Sequence, residues 1–156
     1  EFGSREKVSP YVGAMFYALD RMQFRDVFHK ELRNGRTIVC DRYKMSNIFQ
    51  VANAPESEWR EVFDWLVRLE APMPDADATI WLDLPPESAF LNTRESKDIL
   101  EKEAAFQKRV RKAYACVSEF LPVIRIDGME GSKPKSKEKV AQEIWDALEE
   151  RDVIKA

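Results

Sequence analysis

Three short apolar segments separated by longer amphipathic stretches are the feature that most restricts the fold of this chain. The segments are TIVC at 37–40, ATIWLDL at 78–84 and PVIRID at 122–127. Short apolar strands that alternate with helices are typical of a parallel sheet, since parallel strands are joined by helical crossovers that cover both faces. The sequence therefore predicts an α/β fold with helices on both faces of a parallel sheet, organised as a single domain over residues 1–156.

The stretches between these segments carry apolar residues at helical spacing. Ser9 and Pro10 are typical of a helix start, and Asn34-Gly35 is typical of a helix end. In ESEWREVFDWLVRLE the apolar residues share one face, and in the last helix Trp145 is expected to face inward. We predict helices over residues 8–33, 56–70, 87 to about 93, 99–120 and 137–150.

Composition excludes some classes of partner and cofactor. The formal net charge is −3 and the pI is about 5.4, so we expect no binding to nucleic acid or to an anionic membrane surface. No apolar run approaches the ~20 residues of a membrane span. Cys40 and Cys116 show no metal-ligand spacing with His29, and we expect both to be reduced, buried residues of a cytoplasmic protein.

Asp41, Arg42 and Tyr43 directly follow the first predicted strand. In open α/β sheets the ligand site lies beyond the carboxyl ends of the strands. An arginine at that place offers a planar fork of donors to phosphate oxygens, and an aspartate can organise Mg²⁺ or orient a phosphate acceptor. A plain ion pair at the strand end explains the same two residues, so this motif alone leaves both interpretations open.

Each of two further clusters, taken alone, allows both a functional and a purely structural interpretation. Tyr17 and Arg21 are four residues apart on one helix face, where they could stack a base and hydrogen-bond its edge. Alternatively, Tyr17 packs in the core and Arg21 pairs with an acid. The charged break around Arg94 is either solvated surface or a lid that brings an arginine onto transferring phosphates.

The order YALDR, DRYKMSN, WLDLPPE and KEAAFQKRVRKAY resembles thymidylate kinases over essentially the whole chain. The resemblance implies a P-loop nucleoside monophosphate kinase fold and transfer of the ATP γ-phosphate to dTMP, with Mg²⁺. For the base, the resemblance implies that Tyr17 stacks on thymine, that Arg21 contacts the base and that Ser46 and Asn47 line the nucleotide pocket. It also implies that Gln50 shields the sugar and that Tyr114 closes over it. For the phosphates, it implies that Asp41 lies at the metal and reaction centre, that Arg42 binds the acceptor phosphate and that Arg94 is the arginine of a lid at about 93–103. The loop at Gly128 is then expected to surround adenine. Phenylalanine is the more usual stacking residue.

The sequence departs from that family in one motif. The G-x-x-x-x-G-K-[ST] loop, whose amides and lysine hold the donor phosphates, does not occur in these residues. We therefore expect the C-terminal two-thirds of such an enzyme, without the central first strand and with a gap between the strands at 37–40 and 78–84. Such a chain is expected to fold poorly or close its sheet unnaturally, and to transfer little phosphate alone.

The resemblance also implies a cytoplasmic homodimer formed through the helices at 8–33 and 56–70. Two alternatives stay open at this point: a deoxynucleoside kinase, and a non-catalytic nucleotide-binding module or truncated paralogue.

Overall fold

The structure is a computed structural model that describes residues 8–89 and 97–154 of the chain. These residues form two compact units, one ending at Asp75 and the other beginning at Ala76, and each is described by itself. The organisation as a single domain stays a prediction. In the described part of the chain, no helix combines the length and apolarity that crossing a membrane requires.

The regular elements described in the first unit are all helices. Its elements are α1 (Pro10–Met22), α2 (Arg25–Arg33), a 3₁₀ turn (Lys44–Asn47), α3 (Ile48–Asn53), a second 3₁₀ turn (Glu56–Glu58) and α4 (Trp59–Leu69). The single helix predicted over 8–33 is thus two helices. The Gln23 side chain donates a hydrogen bond to the Asp20 carbonyl oxygen (2.9 Å), and the Phe24 amide turns to Arg21 instead (3.0 Å). A side chain that competes for a helical carbonyl in this way ends the regular ladder.

Small residues of α1 and large residues of α4 form the core of this unit. Ala14 and Ala18 are fully buried, while Phe16 of the same helix is 70% exposed. The predicted apolar face of α4 is confirmed, with Trp59, Val62, Phe63 and Leu66 all buried. α1 therefore buries its alanines in this core and leaves several larger apolar side chains exposed.

The strand predicted at 37–40 is wrong. These residues have no strand partner within residues 8–89 and 97–154, and Val39 is 91% exposed. An apolar, β-branched run becomes a strand only when a neighbouring strand satisfies its backbone N–H and C=O groups. The expected burial of the cysteines is also wrong, because Cys40 and Cys116 are both exposed.

The second unit confirms the α/β class and the parallel sheet. β1 (Thr79–Asp83) pairs in parallel with β2 (Val123–Asp127), with Thr79 opposite Val123 and Asp83 opposite Asp127. The remaining elements are α5 (Pro86–Ala89), α6 (Lys97–Ser118), the antiparallel pair β3 (Met129–Glu130) and β4 (Lys133–Pro134), and α7 (Lys137–Glu149).

Apolar residues of β2 and α6 form the core of the second unit, since Ile124, Ile126, Val110 and Val117 are buried. The predicted inward orientation of Trp145 on α7 is wrong, because its side chain is 50% exposed. Its indole Nε1 donates a hydrogen bond to Glu149 Oε1 (2.7 Å), one turn further along the helix surface. An indole with a carboxylate partner on the solvent face satisfies its polar group without burial.

Candidate functional site

Gly13, Tyr17 and Arg21 follow one another at intervals of four residues along one face of α1. Tyr17 is 56% exposed, so its ring is a surface feature and the core interpretation of this tyrosine is wrong. Arg21 does pair with an acid, as the structural alternative proposed. This face therefore presents an exposed aromatic ring one turn from a guanidinium group.

Glu70, directly after α4, holds Arg21 in place. Its carboxylate is buried and accepts hydrogen bonds from Arg21 Nε (2.8 Å, to Oε2) and from Arg21 Nη2 (2.5 Å, to Oε1). The same Oε1 accepts a hydrogen bond from Asn47 Nδ2 (2.5 Å). The predicted base-contacting arginine and a predicted pocket residue thus share one buried carboxylate.

Gln50 of α3 lies against α1 one turn before Tyr17. Its side chain is buried, and a β-carbon built on Gly13 would lie 2.7 Å from Gln50 Oε1. Only a glycine at position 13 lets the Gln50 amide approach the helix backbone this closely. On this face of α1, Gly13 lies against Gln50 one turn before Tyr17, and Arg21 pairs with Glu70 one turn after it.

Asp41 and Arg42 are both exposed, and neither forms an ion pair with a described residue. Arg42 has φ of 67°, in the left-handed region that non-glycine residues rarely adopt. Such strain persists where the surrounding structure imposes it, and it is concentrated at functional sites. The structure therefore does not show the ion pair between Asp41 and Arg42 that the structural interpretation of this motif predicts.

Tyr43 and Lys44 hold this segment to the residues that follow α4. Tyr43 Oη donates a hydrogen bond to the Pro74 carbonyl oxygen (2.9 Å), and Lys44 Nζ binds the Met73 carbonyl oxygen (2.8 Å) and Asp75 Oδ1 (2.7 Å). Burial, followed by the negative potential of Cys40 and Glu70, raises the pKa of Tyr43 to about 12. The tyrosine is therefore a neutral anchor directly after the exposed residues Asp41 and Arg42.

A metal site within the described residues would have to depend on few protein ligands. In the ranges 8–89 and 97–154 no cluster of three or more His, Cys, Asp or Glu side chains is placed to hold an ion. Asp41 is a single exposed carboxylate. That chemistry fits Mg²⁺, which is commonly held by one or two carboxylates, water and substrate phosphates rather than by a protein cage.

The second unit contains a separate charged cleft of about 450 Å³. Asp83 lines this cleft and accepts hydrogen bonds from Arg111 (2.5 and 3.0 Å) and from Arg125 (2.9 Å from Nε, with a further bond from Nη2). Burial alone would raise the pKa of Asp83, but the hydrogen bonds and charges of both arginines outweigh it and hold that pKa below its ordinary value. Trp81 and Lys108 also line this cleft.

The predicted residues of the second unit already have partners within that unit. The Tyr114 ring stacks on Trp81, with ring centroids 5.6 Å apart. Gly128 donates its N–H to the Asp83 carbonyl oxygen (2.9 Å) and accepts from the Lys135 amide (2.8 Å). A β-carbon at Gly128 would lie 2.5 Å from Leu84 Cγ, so close packing requires this glycine. Arg94 and the first part of the predicted lid lie outside the described residues.

Sequence reasoning missed Glu70 and the pair of arginines on Asp83. A signal for Glu70 exists, because it lies four residues after Leu66 and so continues the buried stripe of α4 with a carboxylate. For Asp83 the signal is its place at the carboxyl end of a strand, and the strand register places Arg125 opposite Trp81.

Comparison with known proteins finds one matching family. The family model described as Thymidylate kinase matches residues 2–144. Probable thymidylate kinases of Pyrococcus horikoshii and Thermococcus onnurineus are 27% and 30% identical, each over 77% of this chain and 58% of the relative. A thymidylate kinase of a Synechococcus strain is 28% identical over 92% of this chain and 68% of the relative. The chain thus spans well under two thirds of the length of the archaeal relatives. No solved structure matches it significantly.

Proposed function

The chain belongs to the thymidylate kinase family, and we propose that the protein transfers the γ-phosphate of ATP to dTMP, giving dTDP and ADP. The observation that supports this most directly is the shared carboxylate of Glu70, which orders both Asn47 and Arg21. Arg21 lies one helical turn from the exposed ring of Tyr17. An aromatic face beside fixed polar groups suits a nucleotide base, which has a flat face for stacking and a polar edge for hydrogen bonds.

In this proposal the first unit binds dTMP. Tyr17 stacks on the thymine ring, while Arg21 and Asn47 hydrogen-bond its edge. Gln50 and Ser46 border the sugar, and Arg42 binds the acceptor phosphate. Arg42 is exposed and follows Asp41 in a left-handed backbone conformation, so its guanidinium could form two parallel hydrogen bonds with phosphate oxygens.

Asp41 would hold Mg²⁺ together with water and the phosphates. When bound, the ion would supply positive charge that offsets part of the negative charge that develops on the phosphates during transfer. The protein then has to align acceptor and donor, because positioning and electrostatic stabilisation supply nearly all of the catalysis of phosphoryl transfer. In-line transfer to the dTMP phosphate needs no covalent intermediate with the protein.

For the donor nucleotide, we propose that Arg94 neutralises charge on the transferring phosphate and that the loop at Gly128 borders adenine. Tyr114 is proposed as a substrate-binding residue that closes over the sugar. Both backbone groups of Gly128 itself already bond within the unit, so neighbouring residues of the loop would make the contacts with adenine. The 156 residues contain no Gly-Lys-Ser/Thr sequence. We therefore propose that this chain alone binds dTMP but transfers phosphate very slowly.

We also propose a cytoplasmic homodimer. The helices expected to form its interface carry exposed apolar side chains, including Phe16 and Leu19 on α1 and Val67 on α4. Analytical ultracentrifugation of the chain and of a Leu19→Glu variant tests this proposal. A dimer that dissociates in the variant supports it, and a monomeric parent chain contradicts it.

Calorimetric titration of the chain with dTMP and with thymidine, followed by an assay of ADP production from Mg-ATP and dTMP, tests the proposed function. We expect dTMP to bind more tightly than thymidine, and Arg42→Gln to remove the difference, while Arg60→Gln on the surface of α4 retains it. Equal binding of dTMP and thymidine would favour a deoxynucleoside kinase.

Catalysis itself is tested by attaching a P-loop-bearing segment of a relative to the N-terminus. Rapid ADP formation that depends on dTMP in the extended chain supports the kinase. A folded, dTMP-binding extended chain without such activity supports the non-catalytic binding module.

A further inference from the structure

The charged cleft of the second unit is built on one face of the parallel sheet, and the proposed reaction does not use it. Trp81 and Asp83 are two residues apart on β1, so their side chains share a face of the sheet. Arg125 of β2 lies opposite Trp81 in the strand register and therefore joins them. Lys108 and Arg111 line the same cleft from α6, where they are three residues apart on one helix face. The cleft thus combines charged side chains of two strands and a long helix.

The cleft is positively charged, although the chain as a whole is acidic. Four basic and two acidic side chains line it, a net charge of +2, whereas the formal net charge of the chain is −3. Asp83 pairs with both Arg111 and Arg125, and one carboxylate neutralises only one guanidinium. The second acid, Glu87, pairs with Lys108 (2.6 Å). One guanidinium charge beside Asp83 therefore has no counter-charge among the described residues that line the cleft.

Arg111 and Arg125 retain hydrogen-bond donors beyond those that bond to Asp83. A guanidinium carries five N–H groups in one plane, and Asp83 accepts one from Nε and one from Nη2 of each arginine. Neither side chain makes another hydrogen bond within residues 8–89 and 97–154, which leaves three N–H groups on each. The two side chains are 41% and 56% exposed, so a ligand can reach these groups.

Both guanidinium groups are held in place by their contacts with the protein. Asp83 is buried and binds each of them through two hydrogen bonds. The guanidinium carbon of Arg125 also lies over the Trp81 ring, 5.3 Å from its centroid. A side chain that is already ordered loses less conformational entropy when a ligand binds. Planar forks of donors in fixed positions suit an anion with several oxygen atoms.

We propose that this cleft is a binding site for a phosphate group, held by the free donors of Arg111 and Arg125 with Lys108 at the rim. A phosphate ester carries a charge of roughly −1.5 to −2 at pH 7, so it supplies the missing counter-charge. Its oxygens accept paired hydrogen bonds from a guanidinium fork. The volume of about 450 Å³ is typical of small-molecule sites, so an organic phosphate can place its apolar part against Trp81. The proposal does not depend on dTMP binding to the first unit.

NMR titration of the full ¹⁵N-labelled chain with inorganic phosphate, at constant ionic strength, tests this inference. We expect the Nε–H signals of Arg111 and Arg125 to shift and then to saturate, because a site fills whereas ionic screening does not. Shifts that never saturate, or that spare both arginines, would overturn the inference. A parallel titration with phenyl phosphate identifies the source of the phosphate group. Tighter binding than that of inorganic phosphate supports an organic phosphate, and equal binding supports the free ion.

Arg125→Gln removes one fork but leaves Asp83 paired with Arg111, so no buried charge loses its partner. We expect this variant to bind inorganic phosphate about ten-fold more weakly or worse, since it lacks charge-assisted hydrogen bonds. Arg60→Gln is the matched control, because Arg60 is an arginine paired with a carboxylate on the surface of α4. It should retain the parent affinity, and equal weakening in both variants would contradict the proposed site.

Arg42→Gln separates this site from the proposed acceptor-phosphate contact of the first unit. We expect it to retain the phosphate affinity of the cleft. Loss of that affinity in Arg42→Gln, with none in Arg125→Gln, would assign the phosphate to the first unit and overturn the inference.

A second variant keeps the test decisive if Arg125→Gln unfolds. Arg125→Lys retains a positive charge beside Asp83 but replaces the planar fork with a single ammonium group. We expect it to fold, as verified by circular dichroism, and to bind phosphate several-fold more weakly than the parent. Undiminished affinity in this variant would show that the guanidinium fork does not bind the phosphate.

Discussion

Gly13 of α1 faces Gln50 of α3 so closely that a β-carbon at position 13 would lie 2.7 Å from Gln50 Oε1. Glycine inside a helix costs about 1 kcal/mol relative to alanine, because it loses more backbone freedom on folding. The helix carries that cost at the point where Gln50 is buried against it. The contact thus links the packing of α1 to the position of a side chain predicted to border the sugar.

We expect Gly13→Ala to displace the Gln50 side chain and to weaken dTMP binding several-fold. The free energy of unfolding should change by less than about 1 kcal/mol, since the gain in helix propensity offsets the displacement. Urea denaturation and calorimetric titration measure the two effects. In a Gln50→Ala background the added methyl group meets no side chain, so Gly13→Ala should then leave dTMP binding unaltered. Undiminished binding in the single variant would remove Gln50 from the site.

Because Arg42 has a left-handed backbone, we expect one substitution at this position to reduce ligand binding without reducing the free energy of unfolding. A non-glycine residue in that region is strained by about 1 kcal/mol, and glycine is not. We therefore expect Arg42→Gly to leave the free energy of unfolding unchanged or slightly higher, while the preference for dTMP over thymidine disappears. Lys30→Gly inside α2 is the control, where ordinary helix propensity predicts a loss of about 1 kcal/mol. Equal losses in both variants would show that Arg42 is not strained.

Arg21 and Glu70 should also be coupled in stability. Removing one partner of a buried ion pair leaves the other charge uncompensated, which typically costs about 3 kcal/mol or more. We expect Arg21→Ala and Glu70→Ala each to lower the free energy of unfolding by this order. The double variant should lose clearly less than the sum, because it leaves no unpaired charge. Strictly additive losses in a double-mutant cycle measured by urea denaturation would contradict the coupling.

The lowered pKa of Asp83 predicts how the free energy of unfolding depends on pH. Its two arginine partners hold its pKa below the ordinary value in the folded state. The unfolded chain therefore takes up a proton first as the pH falls, and the stabilisation by Asp83 is present above about pH 4 and is lost below it. Thermal unfolding between pH 3 and pH 7 should show a smaller decrease towards acid for Asp83→Asn than for the parent chain.

The control for this titration is Asp146→Asn on the exposed surface of α7, which should retain the parent acid dependence. An equally steep acid loss in Asp83→Asn would assign the effect to other carboxylates. Because Asp83→Asn leaves two arginines beside a neutral amide, the variant should also be less stable than the parent at pH 7.

Much of the fold followed from local patterns in the sequence. The strands at 79–83 and 123–127, the apolar face of α4 and the long helix α6 were all expected from the spacing of apolar residues. Such spacing reports which face of an element avoids water, and that property belongs to the element itself. The pairing of Arg21 with an acid was likewise one of the two interpretations of its helix face.

Other features depended on groups distant in the chain, and only the tertiary structure decided them. TIVC at 37–40 has the composition of a strand but has no strand partner among the described residues, so these residues do not form a strand. Glu70 and Asn47 are 23 residues apart, and their hydrogen bond arises from the packing of α3 and α4. The pattern of residues along the chain limits which of them can form helices, strands and polar contacts. Tertiary packing decides which of these residues form hydrogen bonds or ion pairs, because each such contact needs a second group at the right distance.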